Sequence, residues 1–450
     1  MTADRMHLNL FTMNAVEHVT IGSWRYPGDQ SARYTDRKYW TDLARTLERG
    51  GFDGVFFADV RGIYDVYEGS RDPAIERGVQ TPSNDPAYLV PAMAEVTDHL
   101  GFAITKSTSY NHPYQLAREF STLDHLTDGR IAFNVVTSFL ESAAANLGFE
   151  ERLDHDDRYD RADEFMDVCY KLWEHSWDDD AVVRDAASGR FTDPEKVRPI
   201  DHEGTYFAVP GPHGCEPSPQ RTPMLYQAGS SDRGREFAAR NAEAVFVSQP
   251  TPEKVTEYVD DLRERATAYG RNPDEILFFP GIVPIVGATE ELAQAKEASY
   301  REHVDVEGVL TLLSGFVDLD LSELDPDQKI EHIQTEAIQG TVNAFAGGES
   351  EWTVREMAEY AGLGTTSPVV VGTPEQVADE LEYWFREVGV DGFNIKEIVR
   401  PGSAQDFVDM VVPVLRDRGL VRESYEGDTL RENMLGHSRL AADHPGSTEW

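Results

Sequence analysis

The 450-residue chain has only two cysteines, Cys169 and Cys215, and no CxxC pair. A disulfide framework and a cysteine-based zinc site are therefore not expected. Cys169 lies in an apolar helical pattern and is interpreted as a core residue. Uninterrupted apolar runs of about 18 residues are absent, so no membrane-spanning helix is expected. The first six residues do not resemble an apolar signal region, which makes a cytoplasmic location the expectation.

Positive charge is scarce. The sequence has 41 lysine and arginine residues against 81 aspartate and glutamate residues, a formal net charge of −40 at pH 7. Nucleic-acid binding and docking on an anionic membrane both need a basic surface, so neither is expected. With 40% apolar residues, the chain is also too hydrophobic to be a disordered acidic protein. We interpret the acidity as adaptation to molar salt, where charge repulsion is screened, and predict a halophilic source.

Common catalytic signatures are also missing. The sequence contains no Walker A motif, no GxSxG motif and no HExxH motif. Asp154, Asp156 and Asp157 form an acidic cluster, but their spacing does not match an EF-hand loop. Such clusters arise by chance in a chain this acidic, so we assign no metal site.

Short apolar segments alternate with amphipathic helical segments, which is the pattern of parallel βα repeats. The expected fold is an α/β TIM barrel, (β/α)8, with insertions. We expect a single barrel domain over 1–450, with insertions at about 177–222 and 305–367 and a C-terminal extension at about 419–450. One of the predicted helices runs from Asp85 to His99. The eight predicted strands are His7–Phe11, Val55–Ala58, Phe102–Ser107, Ile131–Val136, Met224–Ala228, Ala244–Val247, Ile276–Val286 and Gly392–Ile395.

Polar residues stand at the ends of several predicted strands. Barrels of this kind place their functional residues at the C-terminal ends of the strands. The candidates are Asp59 after the second strand, Ser107 at the end of the third, and Asn134 and Ser138 in and after the fourth. Ordinary hydrogen bonding at the barrel rim, or turn capping by Asp59, would also explain these residue types.

A segment rich in glycine and serine, Gly229–Arg235, separates the fifth strand from a helix. Small residues let the backbone approach a ligand, and the free N–H groups of a helix start suit an anion. The hydroxyls of Ser230 and Ser231 and the neighbouring arginines add to this pattern, which predicts a phosphate site. Simple capping of the helix by Ser230 or Ser231 is the structural alternative.

Three further candidates are histidine and tyrosine residues. His155 and Tyr159 are four residues apart, which places them on one face of a predicted helix. His18 lies in the loop after the first strand, on the expected substrate side of the barrel. A histidine at a helix start more often caps the helix or faces solvent, and a loop histidine is more often inert.

Taken together, these segments resemble a known family. The sequence resembles the nitrilotriacetate monooxygenase branch of the bacterial luciferase-like, flavin-dependent monooxygenases, which includes the EDTA, dibenzothiophene-sulfone and long-chain alkane monooxygenases. The resemblance runs from about Met6 to about Gly436. The segments that carry it are Phe57–Asp59, Ser107–Arg118, Gly129–Arg130, Asn134–Ser138, His155, Arg158–Tyr159, Gln227–Ser231, Gly234–Arg235 and Gly372–Val377.

The resemblance implies a two-component monooxygenase. Reduced FMN (FMNH2), delivered by a separate NAD(P)H:flavin reductase, would react with O2 to give a C4a-peroxyflavin that oxygenates a small organic substrate. His18, His155 and Tyr159 are assigned to catalysis. The residues assigned to FMN binding are Asp59, Ser107, Asn134, Ser138, His155, Tyr159, Ser230 and Ser231.

The resemblance also implies a homodimer or homotetramer. Two other functions stay open at this point. One is a coenzyme F420-dependent oxidoreductase of the same superfamily, and the other is a barrel that binds flavin without turnover. Aminopolycarboxylate, sulfone and alkane relatives share this scaffold and differ in their loops, so the sequence leaves the substrate open.

Overall fold

The computed structural model describes residues 5–149, 154–330 and 351–448. Within these residues, eight parallel strands close into a barrel in which each strand pairs with the next and the last pairs with the first. The predicted (β/α)8 barrel is therefore confirmed. The strands are β1 His7–Met13, β2 Gly54–Ala58, β3 Gly101–Ser107, β4 Ile131–Val136, β5 Met224–Gln227, β6 Ala244–Val247, β7 Leu277–Val286 and β8 Gly392–Lys396.

Helices surround the barrel. None of the helices in the described ranges is both long and apolar enough to cross a membrane. The α-helices of ten or more residues are Arg37–Arg49, Pro113–Leu126, His155–Tyr170, Asp232–Asn241, Pro252–Ala268, Glu290–Arg301, Val306–Val317 and Pro374–Tyr383. The shorter α-helices are Asp72–Arg77, Val90–Ala94, Glu141–Asn146, Val354–Ala361, Gly402–Asp406, Val412–Asp417 and Leu430–Leu435.

The core has two layers because side chains alternate between the two faces of each strand. On β2, Phe56 faces the barrel interior, where its ring centroid lies 5.5 Å from that of Tyr226 on β5. The next residue, Phe57, faces outward and lies 5.5 Å from the ring of Trp40 on the first helix. The strands are thus buried on both sides, which explains their nearly continuous apolar sequence.

The segment that follows the helix Val412–Asp417 covers the N-terminal ends of the strands. Leu430 packs in the interior cluster of the barrel, against the start of β3. Arg431 forms a buried ion pair with Glu243, with 2.7 Å between Nε and Oε1, and Arg422 pairs with Asp53. Each of these buried charges has an oppositely charged partner, so this polar segment can be buried without leaving a charge unpaired.

The region expected as a first insertion, 177–222, carries two short antiparallel hairpins on the barrel surface. Its first hairpin contains the exposed Phe191. Its second hairpin contacts Glu164 of the helix His155–Tyr170, which accepts hydrogen bonds from the backbone N–H groups of Tyr206 and Phe207. The paired strands are Val182–Asp185 with Arg190–Thr192, and His202–Glu203 with Ala208–Val209.

The region expected as a second insertion, 305–367, supplies the apolar helix Val306–Val317. This helix packs beside the barrel in a hydrophobic cluster that includes Tyr64 and Leu140. Residues 331–350 of the region lie outside the described residues. A further strand, Val369–Gly372, pairs with the C-terminal half of β7 and was not anticipated from the sequence.

The single helix predicted from Asp85 to His99 is wrong. The structure has a 3₁₀ turn at Pro86–Tyr88, followed by the short helix Val90–Ala94. Pro91 explains the break, because proline lacks the N–H that a continuous helix needs and instead favours the first turn of a new helix.

Candidate functional site

A cavity of about 440 Å³ opens at the C-terminal ends of the barrel strands. Its walls come from the ends of β2, β4 and β5, the start of the helix His155–Tyr170, and Phe316 of the helix Val306–Val317. The lining residues are Asp59, Val60, Arg61, Val135, Val136, Thr137, Ser138, Phe139, Leu140, Ala143, His155, Arg158, Tyr159, Gln227, Ala228, Gly229, Ser230, Ser231 and Phe316.

The structure brings most of the candidate residues from the sequence into this one cavity. They come from three different strand ends and a helix start, which a parallel barrel places at one face. The candidates that line the cavity are Asp59, Ser138, His155, Tyr159, Ser230 and Ser231. Their individual roles stay predictions.

Ser107, Asn134 and His18 are not part of the lining. Ser107 and Asn134 are buried on β3 and β4, and Asn134 Nδ2 donates a hydrogen bond of 2.8 Å to Thr105 Oγ1. His18 is buried against Phe11 of β1, with ring centroids 4.5 Å apart. Burial, with the nearby positive charges of Arg400 and Lys396, keeps the pKa of His18 well below its usual value, so its ring is neutral at physiological pH.

Three polar side chains at one end of the cavity, Ser231, His155 and Tyr159, form what we call the hydroxyl cluster. Ser231 Oγ lies 3.1 Å from His155 Nε2 and accepts a hydrogen bond of 3.1 Å from the N–H of Gly234. It thereby caps the helix Asp232–Asn241. The ring centroids of His155 and Tyr159 are 5.2 Å apart. The capping alternative is thus observed for Ser231, and its role in ligand binding stays a prediction.

Two glycines allow the turn, the helix start and Tyr159 to pack closely at this end of the cavity. A Cβ on Gly234 would lie 2.8 Å from the hydroxyl oxygen of Tyr159, and a Cβ on Gly229 would lie 2.4 Å from Gln227 Nε2. Two hydrogen bonds to the backbone of Gly229 fix the turn. Gln227 Oε1 accepts one from Gly229 N, and the Tyr258 hydroxyl donates the other to the Gly229 carbonyl. Only glycine permits this close approach of turn, helix and tyrosine.

The arginines next to the turn are mostly neutralised. Arg233 pairs with Asp160 and Asp163 of the helix His155–Tyr170, and Arg235 pairs with Asp261 at 2.9 Å. Arg158 is buried and lines the cavity beside Tyr159. The favourable field for an anion at this end therefore comes from the helix N-terminus and the hydroxyls.

Asp59 lies at the end of β2, and the pKa of its carboxyl is raised. Burial raises its pKa to about 6, and the neighbouring carboxylate of Asp85 adds to the rise, while Lys106 and Arg61 oppose it. Lys106 is itself buried and bridges Asp85 at 2.8 Å and Glu119 at 3.0 Å. Asp59 can therefore exchange a proton close to neutral pH.

The remaining lining is apolar. Phe139, Leu140, Ala143 and Phe316 form what we call the aromatic wall. The rings of Phe139 and Phe316 meet edge to face with centroids 6.1 Å apart, and Phe316 has the same distance to the ring of Tyr64. Leu140 and Ala143 belong to the hydrophobic cluster that packs against the helix Val306–Val317.

Several lining residues were missed by sequence reasoning. Phe139 directly follows the candidate Ser138, so the neighbouring position gave an available signal. Arg158 was named only within the family segment Arg158–Tyr159. Gln227 appeared only as part of a family motif. Phe316 lies more than 170 positions from the β4 loop it contacts, and only the folded position of its helix brings it to the cavity.

The family model described as "luciferase-like monooxygenase" matches residues 15–392. The chain belongs to this family. The predicted relationship to the monooxygenases of nitrilotriacetate, dibenzothiophene sulfone and long-chain alkanes is confirmed, since all three occur among its relatives.

Individual relatives are similar over almost their whole length. The chain is 48% identical to the dimethyl-sulfide monooxygenase of Hyphomicrobium sulfonivorans over 447 residues, covering 98% of this chain and 93% of that protein. It is 50% identical to the long-chain alkane monooxygenase of Geobacillus thermodenitrificans over 442 residues, covering 98% and 97%. A crystal structure of a riboflavin lyase with modified FMN and riboflavin superposes with a TM-score of 0.90 at 39% identity, covering 98% and 99%.

Proposed function

We propose that the protein is a two-component flavin-dependent monooxygenase that uses reduced FMN and O2 to oxygenate a small organic substrate. A separate NAD(P)H:flavin reductase supplies the reduced FMN in this proposal. The observation that carries it is the hydroxyl cluster at a helix N-terminus, opening into a cavity at the C-terminal ends of the barrel strands. Membership of a monooxygenase family adds the reaction class.

The residues present fit the phosphate of FMN. Ser230 and the hydroxyl cluster offer hydrogen-bond donors, and the N–H groups at the start of the helix Asp232–Asn241 favour an anion.

Ser107 and Asn134 are proposed as further cofactor-binding residues, although they lie outside the cavity lining. Within the described residues, Ser107 Oγ and Asn134 Oδ1 are buried and have no hydrogen-bond partner. Buried polar atoms in folded proteins almost always have a partner, so these two oxygens are available to a bound molecule or to water. Asp59 and Ser138 complete the proposed set at the strand ends.

Bound reduced FMN supplies two electrons, so that one oxygen atom of O2 enters the substrate and the other leaves as water. The protein's own residues bind the phosphate, order the reactants and exclude bulk water. Asp59 holds a proton at its carboxyl below about pH 6 and is the titratable group best placed to exchange one in the cavity. His155 and Tyr159 are proposed to contact the cofactor, and His18 to act from the barrel interior.

Two measurements test the proposal. The first is titration of the purified protein with oxidised FMN and, separately, with coenzyme F420, following flavin or deazaflavin fluorescence. The second is product formation when a flavin reductase, NADH, FMN and O2 are supplied with a panel of sulfides, alkanes, sulfones and aminopolycarboxylates. Tight FMN binding with reductase-dependent oxygenation supports the proposal. Preferential F420 binding would favour the F420-dependent alternative, and FMN binding without any turnover would favour a flavin-binding protein.

The cellular setting is also proposed. The net charge of −40 supports a halophilic source, because such a surface is screened and hydrated best in concentrated salt. We further propose a cytoplasmic enzyme that assembles as a homodimer or homotetramer. Size-exclusion chromatography with light scattering in 2 M KCl measures the oligomeric state directly.

A further inference from the structure

Lys106 of β3 is a buried lysine beside Asp59 in the wall of the barrel. The strands β2 and β3 pair in parallel with Phe57 opposite Ile104, and both of these side chains pack on the outer face of the barrel. Asp59 and Lys106 each lie two residues further along, so the alternation of side chains places them side by side on the same face. On its other side, Lys106 pairs with Val135 of β4, which lines the cavity as Asp59 does.

The ammonium group of Lys106 is hydrogen-bonded to two other carboxylates. Its Nζ lies 2.8 Å from Asp85 Oδ2 and 3.0 Å from Glu119 Oε1. Lys106 is only 3% exposed, so these contacts replace the water that a buried ammonium group would otherwise lack. Asp85 precedes the 3₁₀ turn Pro86–Tyr88, and Glu119 belongs to the helix Pro113–Leu126. We call Lys106, Asp85 and Glu119 the lysine cluster.

Negative charge exceeds positive charge around Lys106. One ammonium group faces three carboxylates, those of Asp59, Asp85 and Glu119. Among the described contacts, Lys106 forms its hydrogen bonds with Asp85 and Glu119 and not with Asp59. Carboxylates that share one site repel each other, so one of them is expected to keep its proton, and Asp59 is the one that the lysine does not contact. Burial and the charge of Asp85 raise the pKa of Asp59, which agrees with this assignment.

Other ionisable side chains share the cavity with Asp59. Those that line it are Arg61, His155, Arg158 and Tyr159. The lysine cluster differs from them in position, because none of its three residues is part of the cavity lining in the described ranges. A molecule in the cavity meets the carboxyl of Asp59, and the lysine cluster lies behind it. The cluster can therefore act on such a molecule through the charge of Asp59.

We propose that the lysine cluster sets the charge of Asp59, which makes Lys106, Asp85 and Glu119 positioning residues of the site. The inference rests on the proposed function for its consequence, since Asp59 is the group proposed to exchange a proton in the cavity. Loss of Lys106 would leave three carboxylates without an ammonium group and would favour the protonated form of Asp59. Loss of Asp85 or Glu119 would leave more of the lysine charge to Asp59 and would favour its ionised form.

The test measures the protonation of Asp59 in the protein without cofactor. Each protein and its Asp59→Asn counterpart are unfolded in urea from about pH 5 to about pH 8, and the ratio of their unfolding equilibrium constants isolates the contribution of Asp59. A carboxyl with a raised pKa holds a proton in the folded protein that it releases on unfolding. Stability therefore falls as the pH rises towards the folded pKa and is independent of pH above it.

In the wild-type background, the ratio should rise by about tenfold per pH unit and level off at about pH 6. Lys106→Met should move this levelling-off point upward by about one pH unit or more. Asp85→Asn and Glu119→Gln should move it downward, and they provide the test if Lys106→Met does not fold. Lys296→Met is the matched control and should leave the point unchanged, since Lys296 pairs with Asp406 at 2.6 Å and does not line the cavity.

Two results would overturn the inference. One is the same levelling-off point in the variants of the lysine cluster as in Lys296→Met. The other is a ratio that does not depend on pH in the wild-type background. The FMN dissociation constant and the reductase-coupled turnover are measured over the same pH range. If the levelling-off point moves as expected but the protein neither binds FMN nor forms an oxygenated product, the inference on the charge of Asp59 stands and the proposed function fails.

Discussion

Gly315 lies directly against the ring of Tyr64. A Cβ added to Gly315 would come within 2.1 Å of Tyr64 Cδ1 and 2.6 Å of Cε1, which no pair of carbon atoms tolerates. The hydroxyl of Tyr64 donates to Gln80 Oε1 at 3.1 Å, and Gln80 Nε2 donates to the carbonyl of His18 at 2.8 Å. The apolar helix of the second insertion is thereby coupled through two side chains to the loop after β1.

Gly315→Ala is expected to destabilise the protein. The methyl group must displace either the helix Val306–Val317 or the ring of Tyr64, and overpacking of this kind costs about 1–3 kcal/mol. Urea denaturation followed by far-UV circular dichroism measures the change. Gly402→Ala is the matched control, because a Cβ on this helical glycine meets only Val399 Cγ1 at 3.8 Å. Equal stabilities of Gly315→Ala and wild type would show that the contact between Gly315 and the ring of Tyr64 is not rigid.

Ser231→Ala is expected to weaken FMN binding. The hydroxyl of Ser231 lies at the centre of the hydroxyl cluster, and a hydrogen bond to a charged group such as a phosphate contributes about 1.5–3 kcal/mol. This corresponds to an increase of roughly tenfold to a hundredfold in the FMN dissociation constant. Fluorescence titration with FMN measures it, and binding as tight as in the wild type would remove Ser231 from the phosphate site.

Thr251→Ala controls for the loss of the helix cap. Thr251 caps the next helix, Pro252–Ala268, as Ser231 caps its own, with the side-chain oxygen accepting from the N–H three residues on. Each substitution should cost about 1 kcal/mol in stability through the lost cap. Only Ser231→Ala should change the affinity for FMN, because Thr251 does not line the cavity.

Sequence reasoning located the barrel and the residues of the hydroxyl cluster for a physical reason. The signals for strands, for helix caps such as Ser231 and for strand-end residues such as Asp59 are local in the sequence. A parallel barrel then brings the strand-end and helix-start residues to one face. Sequence reasoning missed the aromatic wall, because Phe316 contacts Phe139 only through the tertiary packing of an inserted helix. The burial of His18 also depends on long-range contacts, so its loop position in the sequence suggested more access than the fold gives it.

Lys396 of β8 is buried in the barrel without a nearby carboxylate among its described contacts. Its Nζ lies 5.6 Å from the ring centroid of Phe11 and 5.7 Å from that of Phe246, and it donates to the carbonyl of Gly364 at 3.1 Å. Burial lowers the pKa of Lys396 to about 7. The folded protein therefore disfavours the ammonium form relative to the unfolded chain, in which lysine has its usual pKa of about 10.4.

Lys396→Met is expected to stabilise the protein near neutral pH and below. Between about pH 7 and about pH 10 the unfolded chain binds a proton that folded Lys396 does not, so this lysine makes wild-type stability rise with pH. Below about pH 7, Lys396 is protonated in both the folded and the unfolded protein. The free-energy cost of burying its ammonium charge is then present in full. Methionine keeps the volume without the charge, and we expect a gain of about 1–4 kcal/mol at pH 6–7.

The measurement for Lys396→Met is the free energy of unfolding in urea from pH 6 to pH 9.5 for both proteins. The difference between variant and wild type should shrink as the pH rises through this window. Lys254→Met is the control, since Lys254 lies in the first turn of a surface helix and is solvent-exposed. A difference independent of pH would mean that Lys396 keeps its ordinary pKa in the folded protein.

The acidic surface predicts a strong dependence of stability on salt. At a net charge of −40, self-repulsion opposes the folded state at low ionic strength. The Debye length falls from about 10 Å at 0.1 M salt to about 3 Å at 1 M, so repulsion between exposed carboxylates is largely removed in concentrated salt. The midpoint of thermal unfolding should therefore rise steadily from 0.1 to 3 M KCl, by on the order of 10 °C or more, corresponding to a few kcal/mol. Choline chloride at the same ionic strength separates general screening from binding of small cations, and equal midpoints at low and high salt would refute the halophilic interpretation.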